Sequence, residues 1–165
     1  MPIETEVKIK VEKEKFELIY DELGQGLFFS QRNIIYPLEN GFLRLRLEQE
    51  PDQEDRIKLT FKGRNQKSQF NARPELELNV GGSFETARQI LSASGLIESF
   101  DYTKRRVNYP LESAVVSLDI LSGDLRYVEI EGAEQDIRKN LARFGLENYP
   151  IERRSYQDIL IAGRD

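Results

Sequence analysis

Odd and even positions part company at the start of the chain. From residue 3 to residue 11 the sequence reads IETEVKIKV, with mostly apolar side chains at odd positions and a charge at every even one. A period of two marks a β-strand, whose successive side chains point to opposite faces. The alternation returns at 42–48 (FLRLRLE), 56–62 (RIKLTFK), 73–80 (RPELELNV), 104–109 (KRRVNY), 114–121 (AVVSLDIL) and 126–131 (RYVEIE). A further strand is expected near 27–36 (LFFSQRNIIY), where the pattern is poorer.

Helical spacing fills the gaps. Residues 12–23 put Phe16, Ile19 and Leu23 on one face and stop at Gly24 or Gly26. Residues 84–94 follow Ser83 as an N-cap and end at Gly95. Residues 133–144 carry acids early and bases late, in keeping with the helix dipole. A short last helix is expected from Ser155, with Asp158 as its capping partner. Residues 49–55 read as an acidic hairpin tip. Residues 63–72 read either as a surface loop or as a lid over a site.

The charged strand faces change the picture. One polar face on one strand is ordinary solvent exposure. Here about seven strands share the pattern, and their charged faces hold ten bases and eight acids within a chain of net charge −5. If the amphipathic helices cover the apolar faces from outside, the charged faces turn inward and the sheet closes on itself, which removes its edges. Buried ions at this density require a wet or ligand-filled interior. The expected fold is therefore α+β: an eight-stranded antiparallel closed barrel, a tunnel with a charged interior and helices packed outside, formed by residues 1–165 as one domain.

Composition narrows the chemistry. The chain has no Cys and no His, which excludes disulfides, thiolate and imidazole metal sites, and Ser-His-Asp triads. A metal must be held by oxygen, which favours Mg²⁺, Mn²⁺ or Ca²⁺. The negative net charge argues against nucleic acid as a partner. No apolar stretch is long enough to cross a membrane as a helix, and the N-terminus lacks a secretory pattern, so the cytoplasm is the expected location.

Glu4, Glu6 and Lys8 lie on one strand face, about 7 Å between successive positions. Two carboxylates can then meet one cation while the lysine reaches a phosphate oxygen. Glu129 with Glu131, and Glu75 with Glu77, repeat the paired-acid spacing. A hairpin over Ser122-Gly123-Asp124 brings Asp119 beside Glu129 or Glu131. Glu75 and Glu77 either ligate metal or pair with neighbouring bases. Arg44, Arg46, Arg73, Lys104 and Arg106 are phosphate-contact candidates. Arg105, off parity, is expected to face outward.

This ordered set resembles the CYTH superfamily, the triphosphate tunnel metalloenzymes: ExExK at Glu4, Glu6 and Lys8; Arg44 and Arg46; Lys62-Gly63; RxExE at Arg73, Glu75 and Glu77; Lys104 and Arg106; Asp119; Glu129 and Glu131; and Arg154-Ser155-Tyr156. The resemblance spans nearly the whole chain. It implies an eight-stranded tunnel, bound Mg²⁺ or Mn²⁺ and cleavage at a triphosphate. By resemblance Glu4, Glu6, Glu129 and Glu131 are metal ligands, with Glu75, Glu77 and Asp119 as further candidates. Lys8, Arg44, Arg46, Lys62, Arg73, Lys104 and Arg106 grip the triphosphate, and Glu6, Lys8, Asp119 and Glu129 form the catalytic set. Arg154 and Tyr156 match a C-terminal family feature, or serve to dock the last helix. Two positions depart from the pattern: Asn33 stands where relatives often carry an acid, and no Pro follows Gly63.

Three functions follow from the resemblance: metal-dependent hydrolysis of inorganic triphosphate, thiamine triphosphate or a nucleotide; class IV adenylyl cyclase activity; or binding of a polyphosphate or nucleotide without catalysis. Glu131, a second acid on its strand, tilts the reading toward hydrolysis. The partner expected is a small triphosphate or nucleotide, and a homodimer is held open.

Overall fold

The computed structural model describes residues 1–164. Eight strands and four α-helices follow one another as β1 (Ile3–Val11), α1 (Lys13–Leu23), β2 (Leu27–Leu38), β3 (Gly41–Gln49), β4 (Arg56–Gly63), β5 (Asn71–Asn79), α2 (Phe84–Ala93), β6 (Phe100–Pro110), β7 (Ala114–Ile120), β8 (Arg126–Gly132), α3 (Glu134–Arg143) and α4 (Tyr156–Ala162). The strands close into an antiparallel barrel in the order β1-β5-β4-β3-β2-β6-β7-β8. The expected eight-stranded tunnel is thus the fold observed.

Two meanders build the wall. Strands β2 to β5 run as consecutive neighbours, as do β6 to β8, and β1 is the staple between them. Its first half pairs with β5, Glu4 opposite Arg73, and its second half with β8, Lys8 opposite Glu129. β6 closes the other seam against β2, with Lys104 opposite Gln31.

Alternation makes the outside apolar. Val7, Ile9, Val116, Leu118, Val128 and Ile130 are buried outward-facing residues, covered by Phe16 and Ile19 of α1 and by Ile137 and Leu141 of α3. On the opposite side Ile34, Tyr36, Leu45 and Ile57 meet Phe84, Ala87 and Leu91 of α2. Burying such side chains contributes about 1.5–3 kcal/mol each. Caps fix the helix ends: Ser83 Oγ accepts the Thr86 N–H at 3.1 Å, and Ser155 Oγ that of Asp158 at 3.2 Å. Arg105 is exposed, as its parity requires.

Helix α4 departs from the outside position of the other three. Tyr156 and Ile159 pack with Leu121 and Tyr127 across one end of the barrel, and the Tyr156 ring lies edge-on to Tyr127 with centroids 5.3 Å apart. The segment between β4 and β5 is fastened to the chain after α3. Arg153 donates to the carbonyls of Ser68 and Gln69, and Phe70 is buried at its end. No helix among the described residues is long and apolar enough to cross a membrane.

Candidate functional site

The barrel encloses a cavity of about 320 Å³ lined by charged side chains from its strands and by α4. Two charged groupings face each other inside it.

The first is cationic and deep. Lys8 on β1, Arg46 on β3 and Lys104 on β6 are buried, and Arg106 lies two residues beyond Lys104 on the same face of β6. Arg106 donates Nε to Asp119 Oδ1 at 2.7 Å and Nη2 to Asp119 Oδ2 at 2.6 Å, and reaches Glu129 Oε2 at 2.5 Å. Lys104 Nζ lies 3.2 Å from Asp119 Oδ2. The Tyr156 hydroxyl donates to that same oxygen at 2.6 Å. The Tyr156 ring also faces the ammonium groups of Lys8 at 4.3 Å and Lys104 at 4.5 Å. Lys8 Nζ donates to the Arg154 carbonyl at 3.0 Å. Arg46 Nε donates to Asn33 Oδ1 at 2.7 Å, so the amide where relatives often carry an acid holds an arginine in place.

Burial alone would push Asp119 and Glu129 up. Arg106 and then Lys104 overcome it, leaving Asp119 below the ordinary range and Glu129 well below it. Burial, with Arg106 nearby, drives Lys104 well down. Burial also drives Arg46 down to about 10, with help from Arg44 and Arg106.

The second grouping is anionic. Lys62 Nζ lies 2.9 Å from Glu4 Oε1 and 2.7 Å from Glu75 Oε2. Glu6 and Glu131 stand opposite each other on β1 and β8. Burial raises Glu4, outweighing Lys62, and Glu75 adds to the rise. Burial, then Glu129, raises Glu6 against Lys62 and Lys8. The Glu131 side chain stands exposed at the tunnel opening. Partial desolvation there and the like charges of Glu4, Glu6 and Glu75 lift its carboxyl to about 7. Glu75 is the exception: hydrogen bonding to Glu4 and the charge of Lys62 hold it down despite burial. Burial and Arg44 lower Lys62, but Glu6, Glu4 and Glu75 together leave it raised.

Farther round the wall, Glu77 pairs with Lys58 at 3.1 Å and with Arg44 at 3.7 Å, and accepts from Thr60 at 2.9 Å. Arg73 lines the same cavity beside Glu75. The β7–β8 register sets Ser117 opposite Glu129 and Asp119 opposite Tyr127. Asp119 and Glu129 therefore meet through Arg106 rather than directly.

Gln31 and Tyr102 escaped the sequence reading, and Asn33 entered it only as a departure from the family pattern, although all three point inward. A strict parity carried through β2 assigns Gln31 and Asn33 to the inner face, and Tyr102 lies two residues before Lys104. The acids offer only oxygen, the donor type a hard divalent cation takes, and the raised carboxyls of Glu4, Glu6 and Glu131 mark where positive charge would be welcome. No group of three or more acidic side chains among the described residues stands close enough to hold an ion as the side chains lie here.

Residues 2–155 match the CYTH domain. No curated protein matches the chain. Among solved structures, the PH1819 protein from Pyrococcus horikoshii OT3 superposes with a TM-score of 0.82 at 22% identity, over 98% of this chain and 99% of that one. HpAC1 from Hippeastrum, described as a candidate adenylyl cyclase that reveals a dominant triphosphatase activity, gives 0.70 at 16% identity, over 97% and 96%. A candidate adenylate cyclase from Vibrio parahaemolyticus gives 0.67 at 17% identity, over 96% and 98%. At these identities the likeness to the solved structures is one of fold. The match along residues 2–155 goes further, and with it the chain belongs to the CYTH domain family.

Proposed function

We propose that the tunnel hydrolyses a small triphosphate with the help of Mg²⁺ or Mn²⁺. The observation that carries this reading is the division of one cavity into a cation-rich wall and an acid-rich wall, the pattern a polyanion and its metal counter-ion require. Lys8, Arg46, Lys104 and Arg106 would bind phosphate oxygens through charge-assisted hydrogen bonds, joined by Arg44, Lys62 and Arg73 along the wall. Asp119 and the Tyr156 hydroxyl hold the Arg106 fork and Lys104 in position before substrate arrives. Burial and Arg106 depress Lys104, and an approaching phosphate favours its charged form.

Glu4, Glu6 and Glu131 would hold the metal, with Glu129 and Glu75 adjoining. A bound divalent cation supplies charge neutralisation at the phosphates and an acidified water. Glu131, lifted to about 7 by partial desolvation and the acids around it, is the carboxyl that gains most from an added cation. Glu129, held ionised by Arg106, keeps that arginine aligned with the phosphate chain.

Incubation with tripolyphosphate and, separately, ATP, each with Mg²⁺ or Mn²⁺, tests the proposal. Orthophosphate is the expected product. Cyclic AMP with pyrophosphate would replace hydrolysis by cyclisation, and no turnover would leave a binding module.

A further inference from the structure

Phosphate groups at neutral pH accept hydrogen bonds and, as a rule, do not donate them. Part of the tunnel wall is built to accept. Gln31 is 1% exposed and lines the central cavity. Its Nε2 donates to Glu48 Oε2 at 2.5 Å, which fixes the amide with Oε1 as the remaining end. No protein group among the described residues donates to Oε1. Glu48 is itself 4% exposed. Burial would raise its carboxyl, but Lys58 at 3.2 Å and Arg46 keep it ionised. Two acceptors thus stand side by side on the inner wall, and a buried acceptor without a donor is costly.

The register places them next to the cationic grouping. Gln31 sits directly between Glu48 on β3 and Lys104 on β6. One strand spacing, about 5 Å, therefore separates an acceptor pair from a lysine of the proposed phosphate grip. An inorganic triphosphate lying there would set its own oxygens against Gln31 Oε1 and the Glu48 carboxylate.

We propose that Gln31, seconded by Glu48, is a specificity-determining residue. It selects a triphosphate monoester whose organic group carries hydroxyl or amino donors, such as a nucleoside triphosphate, over bare inorganic triphosphate. The proposal rests on the triphosphate reading above. A site built to bond a donor rejects the analogue that lacks it, because its own acceptor is then left unpaired.

Calorimetric titration with Mg²⁺ present, using ATP, methyl triphosphate and tripolyphosphate, tests this without need of turnover. ATP and methyl triphosphate are both monoesters, but the methyl group offers no donor. The wild-type chain should bind ATP about tenfold or more tightly than methyl triphosphate. In Gln31→Leu that preference should shrink about tenfold. Gln31→Met, unbranched and closer in shape, repeats the test should the leucine perturb the wall. Equal wild-type affinity for all three overturns the subsite and leaves the triphosphate reading standing. A preference unchanged in the variants assigns the selection elsewhere and also overturns it. If none of the three binds the wild-type chain, the triphosphate reading falls and the subsite with it.

Discussion

The two walls of the tunnel use the same residue type to opposite ends. Glu4 and Glu6 are raised, while Asp119 and Glu129, set deeper, are lowered. Burial acts on all four in the same direction, so burial cannot be the cause of the contrast. The neighbours decide it. Asp119 and Glu129 share the Arg106 fork and sit near Lys104. Glu4 and Glu6 share Lys62 with Glu75 and have the exposed Glu131 beside them. One wall is neutralised from within and holds cationic charge in reserve. The other is over-supplied with acid and gains from an added cation.

The contrast is open to measurement. Arg106→Met should cost most, about 3–5 kcal/mol by urea denaturation, because it leaves Asp119 and Glu129 buried without their partner. A loss below about 1 kcal/mol would remove the internal neutralisation. Next come the matched acid replacements. Glu129→Gln should lower stability by about 1–3 kcal/mol, whereas Glu6→Gln should leave it level or raise it. Both should reduce metal-dependent turnover by about 100-fold. Equal stability changes in the two variants would erase the distinction between the walls.

A pH series sharpens it further. Glu131, at about 7 in the folded chain against an ordinary 4.5, binds its proton more tightly folded than unfolded. Its contribution therefore falls as pH rises between those values and stays low above them. Asp119 and Glu129, lowered by folding, do the reverse: their contribution is complete above the ordinary carboxylate range and drains as pH falls through it. Relative to Glu131→Gln, the metal-free midpoint of thermal unfolding of the wild-type chain should thus decline from pH 5 to pH 8, and added Mn²⁺ should raise it more at pH 8 than at pH 5. Smallest is Arg105→Ala on the outer wall, where a change within about 0.5 kcal/mol is expected.

Much of this was legible in the sequence, and the limits were physical. Strands β1, β3 and β4 alternate cleanly because one face meets helices and the other meets water and charge. β2 does not: its outer face mixes Ile34 and Tyr36 with Arg32, which pairs with Asp101 at 2.8 Å, and its inner face carries the neutral Gln31 and Asn33. The candidate charges were visible, but not their pairing. Arg106 joins Asp119 on β7 to Glu129 on β8, and Lys62 joins Glu4 on β1 to Glu75 on β5. Those meetings depend on distant registers that no local spacing encodes. Tyr156 illustrates the same limit, since a helix late in the chain supplies a hydroxyl to Asp119 on β7.

The stapling role of β1 has a consequence in time. Strand β1 has partners that come much later in the sequence: β5, from Asn71, and β8, whose pairing with it runs from Arg126 to Glu131. Until β8 has been made, one edge of Ile3–Val11 has nothing to bond, and the loop that must close to satisfy it runs from Val11 to Arg126. Closure therefore comes late and over long sequence separation, which places the chain among slow, topology-limited folders rather than fast local ones.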